Sequence, residues 1–382
     1  MIDLPDPRTF PDPAAATPAA AQLHALAAES LASQSEGEAQ ARDRDVVALL
    51  SAQVAGGDGD ALASALDSAP SVAIHRHLWR ALSRALSGPL DADAGLGAVL
   101  FAVPLVLVTG RAGEGVARLS GVLHDTTTFA ALLREHRALG GNESFALANA
   151  LVAAADIGPR ALPALFRASR LAGAEGPFVP VELPKASIVV PEGETAHLRF
   201  VVGSALAAPG FELGREVGSP AWMRPFAQAL GRALAVPGIS VLALPRPPQP
   251  LPAALAAGRG AQRDVSAQLF ASNALRRMRG SVGEPTAVLS AHRAAEAPGA
   301  GELRLSLSSP FEPRDAQGFR CPLYPWERVA DVAAMLVDLL RDCRVADIRA
   351  VSGVHADRDP LTGGPLLFKP ETLPPSFPVT VH

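Results

Sequence analysis

The sequence predicts an α+β fold of mixed α/β character. An N-terminal helical segment is followed by two or three pseudo-repeated β-α-β units with mixed or partly antiparallel sheets. Three observations predict it. Residues 44–88 carry apolar side chains at spacings of three and four. From residue 96 onward, short apolar runs alternate with helical patterns. The strand-like runs come in pairs beside helices, which fits α+β layers better than a strictly parallel, doubly wound sheet.

A chain of 382 residues is too long for one ordinary core and implies several domains. Residues 1–43 read as a flexible arm, rich in Pro and Ala and then in Ser, Glu and Gln. The opening, MIDLPDPRTF, has acids and prolines where a secretory leader needs a basic start and an apolar run, so a cytoplasmic location is expected. The helical segment, residues 44–90, holds RDVVALLSAQVAG, DALASALDSA and VAIHRHLWRALSRAL. In the last of these, Ile74, Leu78, Leu82 and Leu86 share one face and Arg76, Arg80 and Arg84 another.

The first α/β unit, residues 91–183, opens on an uncharged run between Asp93 and Arg111. This run only reaches the lower limit of about 17 residues for a membrane-spanning helix. Pro104 interrupts it and Val, Leu and Phe dominate, so it reads as a strand buried on both faces. A helix TTFAALLREHRAL, a strand SFALANAL and a helical PRALPALFRASRL follow. The second unit, residues 184–260, starts with a hairpin, ASIVVPEGETAHLRFVV, turning at PEGE. It continues with a helix WMRPFAQALGRAL, a strand ISVLAL and QPLPAALAAG. The two units match in order of elements, and Phe129-Ala130 with Leu133 answers Phe226-Ala227 with Leu230. A third, looser unit covers residues 261–368: a helix DVSAQLFASNALRRMR, a hairpin TAVLSAHRAAEAPGAGELRLSLSS, a helix from residue 327 to 342 and a strand ADIRAV. Residues 369–382 form a tail.

Composition narrows the function. Net charge is −4 and charged residues make up 19%, which argues against a duplex DNA binder, and the cluster Arg276, Arg277 and Arg279 reads as cations at a helix C-terminus before it reads as a basic patch. No nucleic-acid or membrane partner is expected. Lys185 and Lys369 are the only lysines, and alanine is abundant, which reads as composition bias. Two cysteines cannot build a disulfide framework or a cysteine-based zinc site, and both are expected reduced. The chain has no phosphate-binding Gly-rich loop ending in Gly-Lys, no dinucleotide fingerprint, no nucleophile elbow and no His-Glu-x-x-His. No cofactor and no metal is therefore expected.

Two stretches remain as candidates. GFRCPLYPWERV, residues 318–329, holds Cys321, the sole tyrosine Tyr324, and Trp326. Proline brackets the aromatic pair, and Pro325 stands where a helix would begin. The expectation is a buried Tyr–Trp wedge at the start of the following helix, with ligand contact as the second reading. VSGVHADRDPLTGGPLLF, residues 351–368, offers His355, Asp357, Asp359 and Thr362. Two carboxylates in Asp-x-Asp can grip a divalent cation bound to a diphosphate. Asp-Pro followed by Gly-Gly is a plain turn, and that is the preferred reading. The candidate ligand-binding residues are thus Cys321, Tyr324, Trp326, His355, Asp357 and Asp359. The preferred reading is a non-enzymatic cytoplasmic binding or scaffold protein for a protein partner or small ligand. The alternative is a metal-dependent transferase or hydrolase with its site at residues 318–327 and 351–364.

Overall fold

The structure, a computed structural model, describes residues 4–88, 97–111, 115–140, 144–174, 183–208, 211–213, 220–278, 284–294, 299–309, 312–359 and 365–368. The chain divides into two compact units. The larger is Pro13–Ala69 with His77–Gln262, and the smaller is Met1–Asp12, Pro70–Arg76 and Arg263–His382. Among the described residues no helix is long and apolar enough to cross a membrane.

The larger unit opens with helices α1 (Pro18–Ala32), α2 (Glu36–Gly56) and α3 (Gly59–Asp67). Thr17, Ser35 and Asp58 cap them by accepting the amides of Ala20, Glu38 and Ala61. The flexible arm expected over residues 1–43 is therefore corrected. Ala20, Leu23 and Ala27 of α1 are buried, and Leu4 and Arg8 are buried in the smaller unit. The Pro/Ala composition concealed this, because alanine has the highest intrinsic helix propensity and needs few large neighbours to pack. Helix α4 runs Val72–Ala85, and its Trp79 indole donates to the Pro252 carbonyl at 3.1 Å.

Strand β1 (Gly97–Arg111) lies inside the main sheet of this unit. Its burial on both faces produced the continuous apolar run. Next come β2 (Ala117–Leu119), α5 (Thr126–Glu135), β3 (Phe145–Val152) and α6 (Leu162–Ala174). They are followed by β4 (Ile188–Val190), β5 (Gly193–Ala207), α7 (Met223–Ala233), β6 (Ile239–Pro245) and β7 (Gln249–Pro250). Sheet order is β3-β5-β1-β6, with β7 also on β1, and β1 is antiparallel to β5 and β6. Pro104 is tolerated in this central strand for a local reason. The β6 ladder on β1 starts at Leu105 and the β7 ladder ends at Ala102, so the missing amide falls in the gap between them. The expected hairpin at PEGE does not form: β4 pairs with β2 in a separate two-stranded sheet. Gly193 at φ 81° turns the chain there without pairing its flanks.

Helix α8 (Leu251–Arg277) is one continuous helix, where the sequence reading had placed two segments. The smaller unit contains its second half, then β8 (Thr286–Arg293), β9 (Gly301–Ser309), β10 (Glu312–Leu323), α9 (Val329–Asp342) and β11 (Asp347–His355). Sheet order is β10-β9-β8-β11. The β8–β9 pair is the hairpin expected from the sequence, running from Thr286↔Ser308 to Arg293↔Gly301. β11 is parallel to β8, as a strand returning after a helical crossover should be.

The two faces of this sheet differ sharply. Leu289, Leu303, Leu305 and Leu307 pack on Ala267, Ala271 and Ala274 of α8 and on Val332, Leu336 and Leu340 of α9. By strand alternation, Ser290, His292, Glu302, Arg304, Ser306 and Ser308 fall on the opposite face, and all are buried. A covered sheet face made of serine, histidine and ions is the unusual feature of the fold.

Candidate functional site

Arg304 is the centre of that polar face and is fully buried, at 0% exposure. A guanidinium has five donors in a rigid fork, and all the surrounding oxygens converge on it. Its Nε donates to Glu302 Oε1 at 2.6 Å. Its Nη1 donates to the Asp357 carbonyl at 2.5 Å and the Leu366 carbonyl at 3.0 Å. Its Nη2 is bonded to the Asp357 carboxylate. Arg320, directly across from Arg304 on β10, donates to Glu302 at 2.9 Å and comes within 3.6 Å of Asp357. Two cations and two carboxylates thus balance one another in a covered place.

Beside this network, His292 Nδ1 lies 2.8 Å from the Ala356 carbonyl and its Nε2 lies 2.8 Å from Ser290 Oγ. With the carbonyl as acceptor at Nδ1, the neutral tautomer leaves Nε2 to accept the serine proton. Burial, joined by the neighbouring Arg304 and His355 charges, pushes the His292 pKa down to about 4, against the pull of Ala356 and Asp357. The rings of His355 and Phe368 stand 5.5 and 6.0 Å from the His292 ring.

The second cluster is built around the turn Tyr324–Glu327, closed by the Glu327 amide donating to the Tyr324 carbonyl at 3.0 Å. Pro325 occupies the second position of this turn, where its fixed φ is favourable. Helix α9 then starts at Val329, later than the expected residue 327. The Tyr324 and Trp326 rings stack 5.3 Å apart at 13°. Arg8 donates to the carbonyls of Tyr324 and Glu327 at 2.6 and 2.8 Å, and is itself gripped by Asp6. Arg76 donates to the Trp326 carbonyl at 3.1 Å. The Glu327 carboxylate accepts the Tyr324 amide and both bonds from Arg263, at 2.6 and 2.7 Å. The backbone is tied down, yet both rings are only partly buried and Pro325 is exposed. Both rings, expected from the sequence to be largely buried, are partly buried in the structure.

Cys321 does not join either cluster's open side. It points to the helix face of the sheet, among Leu303, Leu305 and Leu336. Burial pushes its thiol up to about 12, against the pull of the nearby Arg263. Asp357 lies on the opposite face, so Cys321, His355 and Asp357 do not converge. A thiol reagent should therefore label the partly buried Cys343 well before Cys321 in the native protein, as peptide mass analysis would read. Faster labelling of Cys321 would contradict its placement. Asp359 is half-buried at the end of the described stretch, and Thr362 lies outside the described residues.

No protein-family model, curated protein or solved structure matches the chain. The residues themselves must carry the reading. Sequence reasoning missed Arg304, Glu302, Arg320, Ser290 and His292. The signal was present in GELRLSLSS, where charge and serine alternate strictly with leucine.

Proposed function

We propose that the chain acts as a non-enzymatic binding or scaffold protein for a protein partner or small ligand, with the Tyr324–Trp326 pair as its contact surface. The observation that carries this reading is the partly buried aromatic stack on a backbone held by Arg8, Arg76 and the Glu327 carboxylate, which Arg263 fixes in turn. Tyr and Trp offer large, stiff, amphipathic contact area at little entropic cost, which is why they dominate binding hot spots. The polar cluster supports the same reading. Its ionic groups already bond one another, and His292 has both nitrogens taken. For the alternative metal-dependent reading, a cation at Asp357 would first have to displace Arg304.

The test uses the purified full chain as bait against an extract of its own cells, beside Trp326→Ala and Tyr324→Ala. The expected result is a species held by the wild type and lost from both variants while their folds persist. Equal retention by all three would refute the contact surface.

A cytoplasmic location belongs to the same proposal and is supported by two free cysteines. The larger unit is further proposed to hold two interleaved copies of one β-α-β-α element, β1-α5-β3-α6 and β5-α7-β6-α8. Each copy's first strand is central and pairs with the other copy's second strand. The matched phenylalanines, Phe129 and Phe226, touch at 4.9 Å.

A further inference from the structure

We propose that β6 is the contact edge of a homodimer, pairing antiparallel with the same strand of a second copy and continuing the main sheet of the larger unit across a two-fold axis. β6 ends the sheet order, and among the described residues it is laddered to β1 alone. Its sequence, ISVLALP, carries no charge, its ladder has no bulge, and its one proline is the last residue. The strand therefore lacks the devices that keep an open edge from pairing with another chain.

The backbone decides which groups that edge leaves open. The Arg246 amide donates to the Pro104 carbonyl at 2.8 Å, and these two residues continue the register of the β1–β6 ladder. In an antiparallel pair, hydrogen-bonded positions alternate with non-bonded ones. Ser240, Leu242 and Leu244 therefore turn their amides and carbonyls toward β1, and Ile239, Val241 and Ala243 turn theirs outward. Ile239 is already engaged: its amide donates to the Val236 carbonyl at 3.1 Å, and the two residues form a bridge. Pro245 has no amide. Among the described residues of the strand, Val241 and Ala243 are the outward amides that remain.

A two-fold axis then fixes the register. Pairing Val241 with Ala243 of the second copy, and Ala243 with its Val241, gives each of these amides a carbonyl. Pairing Val241 with Val241 would instead require Ile239, which Val236 holds. The first register sets Leu242 opposite Leu242 of the second copy in a non-hydrogen-bonded pair, where Cα atoms approach to about 4.5 Å. Leu242 suits that place. It is 57% exposed, and by strand alternation it lies on the sheet face away from Phe226 and Leu230 of α7. The same open row and the same leucine on both sides make a second copy the occupant that fits.

Sedimentation velocity of the full chain, across micromolar to submillimolar concentrations, should show a reversible monomer–dimer equilibrium, weak as interfaces below about 1,200 Å² are. Leu242→Lys sets like charges directly opposite each other and should raise the dissociation constant about tenfold or more, with an unchanged circular dichroism spectrum. Leu242→Cys in a Cys343→Ser background, where the remaining Cys321 is buried, should give a covalent dimer on mild oxidation. Ser240→Cys, which would face Leu244, should not. A monomer at every concentration would overturn the proposal and leave the edge to a strand of another protein. A dimer that Leu242→Lys leaves intact, or one that cross-links at residue 240 and not at 242, would overturn it as well.

Discussion

Arg304→Met should lower the stability of the protein by about 3–5 kcal/mol, the usual cost of removing one partner from a buried ionic group. The reasoning is local. Arg304 satisfies two carbonyls and two carboxylates at once, and methionine would fill much of its volume while bonding none of them. Among the described residues, Glu302 would keep Arg320, which is 41% exposed, and Asp357 would keep Arg320 at 3.6 Å and the exposed Arg358 at 4.0 Å. Urea denaturation monitored by circular dichroism should show the midpoint fall with little change in slope. Adding Glu302→Gln and Asp357→Asn to Arg304→Met should recover part of the loss, because an absent buried charge costs less than an unpaired one. A single variant within about 0.5 kcal/mol of wild type, the range of ordinary surface changes, would show that the clasp holds nothing.

Trp222→Ala should cost about 3–5 kcal/mol, and Trp326→Ala only about 1–2 kcal/mol, since truncating a buried large side chain loses both transfer energy and packing. The sequence pairs these two tryptophans, each set between prolines before a helix. The structure separates them. Trp222 is 2% exposed and meets Phe226 edge-on at 5.4 Å, and Phe226 in turn meets Phe129. Trp326 is only partly buried, and so is the tyrosine it stacks on. Thermal melts of both variants check the contrast. Equal losses would return Trp326 to the packing role that its surroundings in the sequence implied.

Much of the architecture was legible because it rests on periodicity. β1, β3, β5, α5, α7, α9 and the β8–β9 hairpin follow from apolar spacing and turn residues alone. What failed did so for physical reasons. Alanine-rich α1 was taken for a disordered arm because its buried face is built from small residues that carry little hydropathic contrast. The β2–β4 pair joins segments far apart in the chain, and no local signal specifies such a partner. Of the candidate site, Tyr324, Trp326 and Asp357 were found by rarity and motif, but their partners were not. Arg8 reaches Tyr324 across 316 positions, and Arg304 reaches Asp357 across 53. A single sequence shows the polar alternation of β9 but not the Asp357 and Leu366 carbonyls that meet Arg304.

The account holds that the charges of Glu302, Arg304, Arg320 and Asp357 bind the chain to itself, not a divalent cation that would do chemistry. Calorimetric titration of magnesium and of manganese into the wild type and into Asp357→Ala tests this most directly. The account predicts no saturable heat in the wild type that disappears with Asp357. Tight saturable binding lost in Asp357→Ala would contradict it and make the 351–364 turn a metal-dependent active site.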